Sequence, residues 1–137
     1  METTRQLRIH SLLLFLMVLT ASCVGIFKKD KDPEPQLAGT YTISSYRVTV
    51  GTQTVPGSSG TVNVTGPTNN QIDMTFNLTG LGSFDTNNIE IRKNGSSYDM
   101  YDGSDRVGSL NGTDFNIDAQ GADDNGQFIR LQVTAKK

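Results

Sequence analysis

From residue 37 onward, apolar and polar residues alternate along the chain with a period of two. The clearest run is Ile72, Met74, Phe76 and Leu78, interleaved with Asp73, Thr75, Asn77 and Thr79. Successive side chains of a strand point to opposite faces, so this spacing puts one apolar face against a core and one polar face toward water. Val62 and Val64 repeat the pattern with Asn63 and Thr65, and Phe115, Ile117 and Ala119 repeat it with Asn116 and Asp118. Near the end, Ile129, Leu131, Val133 and Ala135 share a face opposite Phe128, Arg130, Gln132 and Thr134. These segments are short and rich in β-branched residues, and no later stretch carries a 3.6-residue apolar stripe, so the pattern predicts an all-β domain. In the first segment the apolar positions run Tyr41, Ile43, then Tyr46, Val48, Val50. The alternation slips by one at Ser44-Ser45, which predicts a bulge or sharp bend.

Turn residues set the order of the strands. Asn94-Gly95, Asp102-Gly103 and Asn111-Gly112 each lie between strand-like segments, and such pairs adopt the positive φ angles that two-residue hairpins require. The expected segments are 39–50, 60–66, 71–79, 89–91, 98–100, 106–110 and 113–119, with a connection over 120–126 to a final strand near 129–135. Eight antiparallel strands in sequential order shed exposed edges best by closing into a barrel. An open β-sandwich with the same meander is the alternative.

The region before residue 37 follows other rules. Arg5 and Arg8 precede an apolar run over residues 12–19, then Thr20-Ala21-Ser22-Cys23, the layout of a secretory signal over residues 1–22. The run falls short of the roughly 20 apolar residues that a membrane span needs. The cysteine behind it resembles the lipobox of bacterial lipoproteins, with Thr20 where that motif usually has Leu. The resemblance implies that Cys23 carries a diacylglyceryl group and becomes the mature N-terminus; ordinary cleavage nearby, with a free thiol, is the alternative. Acyl chains contribute about 0.8 kcal/mol per buried methylene, and two or more chains make a lasting anchor. Residues 23–36 include Lys28-Lys29-Asp30-Lys31-Asp32-Pro33, which lack periodicity and read as a flexible tether. Its thirteen residues after the cysteine reach roughly 40 Å when extended. Val24 in place of an aspartate points, within the same resemblance, to the outer membrane, facing either the periplasm or the cell surface.

Composition narrows the chemistry. The formal net charge is −2, and no Lys/Arg cluster lies in the folded part, so nucleic acid is not an expected partner. The one cysteine of the chain leaves no internal disulfide. Its one histidine, His10, falls in the signal segment, which removes Ser-His-Asp and Cys-His catalysis and histidine-held metals from the mature chain. The glycines mark turns rather than a phosphate loop. Asp73 and Glu90 sit on polar strand faces, where solvated surface is their ordinary state. The oxygen-rich stretches Asp102-Gly103-Ser104-Asp105 and Asp123-Asp124-Asn125-Gly126 match no calcium-loop pattern and suit tight turns equally well. Sequons at Asn63, Asn77, Asn94 and Asn111 coincide with strand and turn positions. The expectation is no enzyme, no cofactor and no metal.

Leu37-Ala38-Gly39-Thr40-Tyr41, opening the first strand just after the tether, resembles the Leu-x-Gly-Thr-Trp start of small lipocalin-like lipoproteins of the Bacteroidetes kind. That resemblance implies an up-and-down barrel over residues 37–137, with Tyr41 plugging one end and Arg130 packing over it. It also implies a ligand-binding cup, for which Met74, Phe76, Tyr98, Met100 and Phe115 are the bulky inward candidates; plain core is their other role. The chain has no tryptophan, which argues against an avidin-like site. The function expected on these grounds is that of an envelope lipoprotein binding a small apolar or amphipathic ligand. The alternative is an accessory lipoprotein whose filled barrel docks onto another envelope protein.

Overall fold

The computed structural model describes residues 33–137; the signal segment, Cys23 and most of the tether lie outside the described residues. Nine strands follow in order: β1 (Gly39–Val50), β2 (Gln53–Gly57), β3 (Gly60–Thr68), β4 (Gln71–Leu78), β5 (Gly82–Asn94), β6 (Ser97–Asp102), β7 (Asp105–Leu110), β8 (Asp114–Ala122) and β9 (Phe128–Lys136). All pair antiparallel in the order β2-β1-β3-β4-β5-β6-β7-β8-β9, and β1 also pairs with β9. That last pairing, from Thr42↔Lys136 to Val50↔Ile129, closes the sheet into a barrel and removes the open sandwich.

The closed circuit has eight strands, and β2 is the extra one. On one edge of β1, the C-terminal half pairs with β2 from Tyr46↔Gly57 to Val50↔Gln53, and the N-terminal half pairs with β3 from Gly39↔Val64 to Thr42↔Thr61. Both pairings keep a single register, so β2 and β3 act as one long hairpin arm interrupted at Ser58-Ser59. Period-two reading misses β2 because Gln53-Thr54-Val55-Pro56-Gly57 has one large apolar residue and a proline. Two other boundaries move. β5 begins at Gly82 rather than near residue 89, with its register shift between Ile72 and Met74 of β4, and β8 runs on to Ala122 into the expected connection.

The predicted slip in β1 is a bulge: its register with β9 shifts between Ile43 and Ser45. The extra residue brings Tyr46 back to the inner face after Ile43, and both are buried. Inside, Tyr41, Phe76, Phe115, Met74 and Met100 are fully buried. Ring centroids lie 5.6 Å apart for Tyr41 and Phe115 and 6.1 Å apart for Phe76 and Phe115. Glycines facing this core make room for large neighbours. A Cβ on Gly57 would lie 2.0 Å from the ring of its cross-strand partner Tyr46, and one on Gly108 would lie 2.7 Å from Met100 Cε.

Candidate functional site

Strand direction alternates, so the barrel has two unlike poles. One pole, the base, gathers residues 35–38, the turns after β3, β5 and β7, and the C-terminus. The Tyr41 hydroxyl donates to Leu37 O at 2.8 Å, and burial pushes its pKa up. Lys137 Nζ donates to Gln36 O at 2.8 Å and Ala38 O at 2.6 Å, and it lies 5.1 Å from the Tyr41 ring centroid. The base is therefore closed by a tyrosine under a lysine.

That arrangement corrects the expected plug. Arg130 is not over Tyr41; it faces the outer wall, where its Nε and Nη2 donate to Asp118 at 2.7 and 2.6 Å. The physical reason is strand parity: Arg130 alternates with Ile129 and Leu131, which face inward. The cation that covers Tyr41 comes instead from the last residue of the chain, beyond the alternating run.

Of the five inward candidates, Met74, Phe76, Met100 and Phe115 are buried to within 1 %, and Tyr98 is partly buried against the same core. The structure brings them together around the barrel axis. Phe76 also stacks on Phe84 of β5, centroids 4.9 Å apart.

The far pole gathers the β1–β2, β4–β5, β6–β7 and β8–β9 turns. Among the described residues, the exposed large apolar side chains are Val50, Val55, Leu81, Phe84 and Phe128, and every one lies at this pole. Beneath them, Val48, Ala119 and Leu131 are partly buried against the core. The same turns carry Asp102, Asp105, Asp123 and Asp124. Asp123 Oδ1 accepts from the main-chain N–H of Asn125 at 2.9 Å and of Gln127 at 2.8 Å, so this carboxylate holds its own turn. Among the described residues, no group of three or more His, Cys, Asp or Glu could hold a metal ion.

The outer wall carries clefts. One of about 560 Å³ crosses β7, β8, β9, β1 and β2, flanked by Asn116, Thr134 and Ser45 on one side and by Asp118, Gln132 and Arg47 on the other. A second, of about 410 Å³, lies where β7 and β8 diverge, between Asp105, Arg106, Asp118 and Arg130. Ion pairs set the charge here. The Arg106 guanidinium first, then the Asn94 amide, holds the Asp99 carboxyl below its ordinary range. Arg130 does the same to Asp118. Asp73 and Glu90 are engaged separately, Asp73 accepting from Asn88 N at 2.8 Å and Glu90 from Arg92 Nε at 2.8 Å. Sequence reasoning did not mark the far-pole rim or the divergence of β7 and β8. The rim's residues are scattered through turns and strand ends, and β7 leaves β8 next to a register shift with β6 between Met100 and Tyr101, which no motif signals.

No family model and no curated protein matches the chain. Among solved structures, a "putative outer membrane protein" of Bacteroides fragilis is similar, with a TM-score of 0.57 at 18 % sequence identity. The match covers 74 % of this chain and 51 % of that one, so the chain spans about half the length of the structure it resembles. At that identity the likeness is one of fold.

Proposed function

We propose that this protein is a lipid-anchored envelope lipoprotein of the outer membrane, held through Cys23, whose lipocalin-like barrel is filled and whose far pole docks onto another envelope protein without catalysing a reaction. The observation that carries the reading is the contrast between the barrel centre and the far rim. Phe76, Met100 and Phe115 at the barrel centre are 0 % exposed, whereas Val55 and Phe128 at the far rim are each 45 % exposed. Exposed apolar side chains gathered at one end of a domain mark a contact site where they form a continuous patch, and Val50, Val55, Leu81, Phe84 and Phe128 share this pole. The fold shared with the Bacteroides fragilis protein supports an envelope setting. A small apolar or amphipathic ligand is the second reading, favoured by Val48, Ala119 and Leu131, which remain partly open beneath the rim.

Two measurements test this. Metabolic palmitate labelling is expected to mark the full chain and to vanish in Cys23→Ser; labelling that persists in Cys23→Ser removes the anchor. A native mass spectrum of the detergent-extracted full chain is expected at the mass of polypeptide plus acyl groups. A retained non-covalent molecule of a few hundred daltons transfers the function to ligand carriage.

A further inference from the structure

The last pairs between β7 and β8 are Gly108↔Ile117, Ser109↔Asn116 and Leu110↔Phe115. β8 nevertheless stays paired to β9 as far as Ala122↔Phe128. Residues 118–122 therefore have a strand on one side only. Asn111 N–H donates to Asp114 O, so Asp114 directs its main-chain groups toward β7, and in an antiparallel ladder every second residue does the same. Asp118, Gln120 and Ala122 accordingly turn their N–H and C=O groups into the cleft beside β7.

A second edge at the same pole makes the contrast. Gly51 N–H donates to Phe128 O, so alternation turns Val50, Val48 and Tyr46 toward β2 and leaves Thr54 and Pro56 facing outward from it. Proline has no N–H to offer, a common guard on exposed edges. The β8 edge has no proline and no lysine over residues 118–122.

We propose that the β8 edge, Asp118 to Ala122, accepts an extended cationic segment of another protein as an added antiparallel strand. The cleft of about 410 Å³ between Asp105, Arg106, Asp118, Gln120 and Arg130 is where such a strand lies. Five added residues span roughly 17 Å. Residues opposite Ala119 and Gly121 face inward, toward Leu131, which pairs with Ala119, and must be apolar. Residues opposite Asp118 and Gln120 face outward. Charge selects the occupant. The flanking turns carry Asp102, Asp105, Asp123 and Asp124, and the two nearby arginines are already engaged, Arg106 by Asp99 and Arg130 by Asp118. Lys or Arg at the outward positions of the incoming strand meets this field. A second copy of the chain is disfavoured by the same field, because antiparallel β8–β8 pairing brings Asp123 and Asp124 of one copy beside Asp118 of the other.

The inference rests on the docking reading above and narrows it to one edge and one chemistry. Its test is hydrogen–deuterium exchange of the full chain in detergent micelles, with a blocked Lys-Val-Lys-Val-Lys-Val-Lys peptide as probe and its Glu-Val counterpart as control. The Lys peptide is expected to slow exchange over residues 114–122, leave β3 and β4 unchanged, and bind at least tenfold tighter than the Glu peptide. Gln120→Pro, which removes an edge N–H that β9 does not use, is expected to abolish that protection while circular dichroism stays that of the parent. Should Gln120→Pro disturb the fold, the double variant Asp105→Asn/Asp124→Asn is expected to weaken the Lys peptide at least threefold. Equal binding by folded Gln120→Pro, undiminished binding by the double variant, protection elsewhere or none at all overturns the assignment. Protection of residues 114–122 that grows with protein concentration without peptide also overturns it, in favour of self-association. A small ligand in the native mass spectrum sinks the docking reading itself, and the peptide result does not bear on that outcome.

Discussion

Single residues decide how tightly the two ends of this barrel are finished. Asp99 is nearly buried yet charged, and its environment explains why: Arg106 Nη2 donates to it at 2.7 Å and Asn94 Nδ2 at 2.9 Å. Those bonds favour the ionised form and depress the folded-state pKa. A depressed carboxylate contributes stability that is fully present above the unfolded value of about 3.9 and is lost as pH falls through the lower folded value. The melting temperature of the parent is therefore expected to drop more steeply on acidification below about pH 4 than that of Asp99→Asn, as differential scanning fluorimetry across that range will read. Parallel slopes for the two proteins would remove Asp99 as the acid-sensitive group. The sequence was legible at this scale only for side-chain parity. Tyr41 belongs to the inner face by alternation, but its covering cation does not: Lys137 reaches it from the chain end, whereas Arg130 sits at a position whose parity turns it outward.

Elements show how a one-residue irregularity governs a whole strand. The bulge between Ile43 and Ser45 lets both halves of β1 present apolar side chains inward, because a one-residue slip moves every later side chain to the opposite face. Deleting Ser44 is expected to turn Tyr46 and Val48 outward or to break the β1–β9 ladder. Full burial of one large apolar side chain stabilises by about 1.5–3 kcal/mol, so turning out buried Tyr46 implies a deficit of that order, with a smaller share from partly buried Val48, visible as a lowered urea midpoint. Conversely, replacing Ser44 with alanine keeps the residue count and is expected to leave the midpoint nearly unchanged. If the deletion unfolds at the parent midpoint, the bulge does not set the face of β1. The slip itself was readable from the spacing of Tyr41, Ile43, Tyr46 and Val48. β2 was not, since its pairing depends on the hairpin after Val50 continuing in register rather than on a hydrophobic period of its own.

At the scale of the molecule, the β1–β9 pairing joins the first and last strands, so one continuous core spans elements from both ends of the described chain. A closed sheet around a single core unfolds as one unit when no part can leave without exposing the rest. Urea transitions followed by far-ultraviolet circular dichroism and by tyrosine fluorescence are expected to coincide. An early transition in one probe would mean that part of the sheet melts separately from the rest. Closure also makes the two ends unlike: the base is sealed by Tyr41 and Lys137, and the exposed apolar side chains lie toward the opposite end.

By itself the sequence determined the all-β class, the meander, the inner face and the bulge, since each follows from local periodicity and turn chemistry acting over a few residues. It also made a closed barrel the expectation, which the β1–β9 pairing bears out against the open sandwich. Only the tertiary structure decided that β2 extends the hairpin arm, that Lys137 rather than Arg130 covers Tyr41, and that β8 keeps an open edge. Those features arise from pairings between residues far apart in the chain and from register shifts accumulated around the barrel, neither of which leaves a local trace in the order of amino acids.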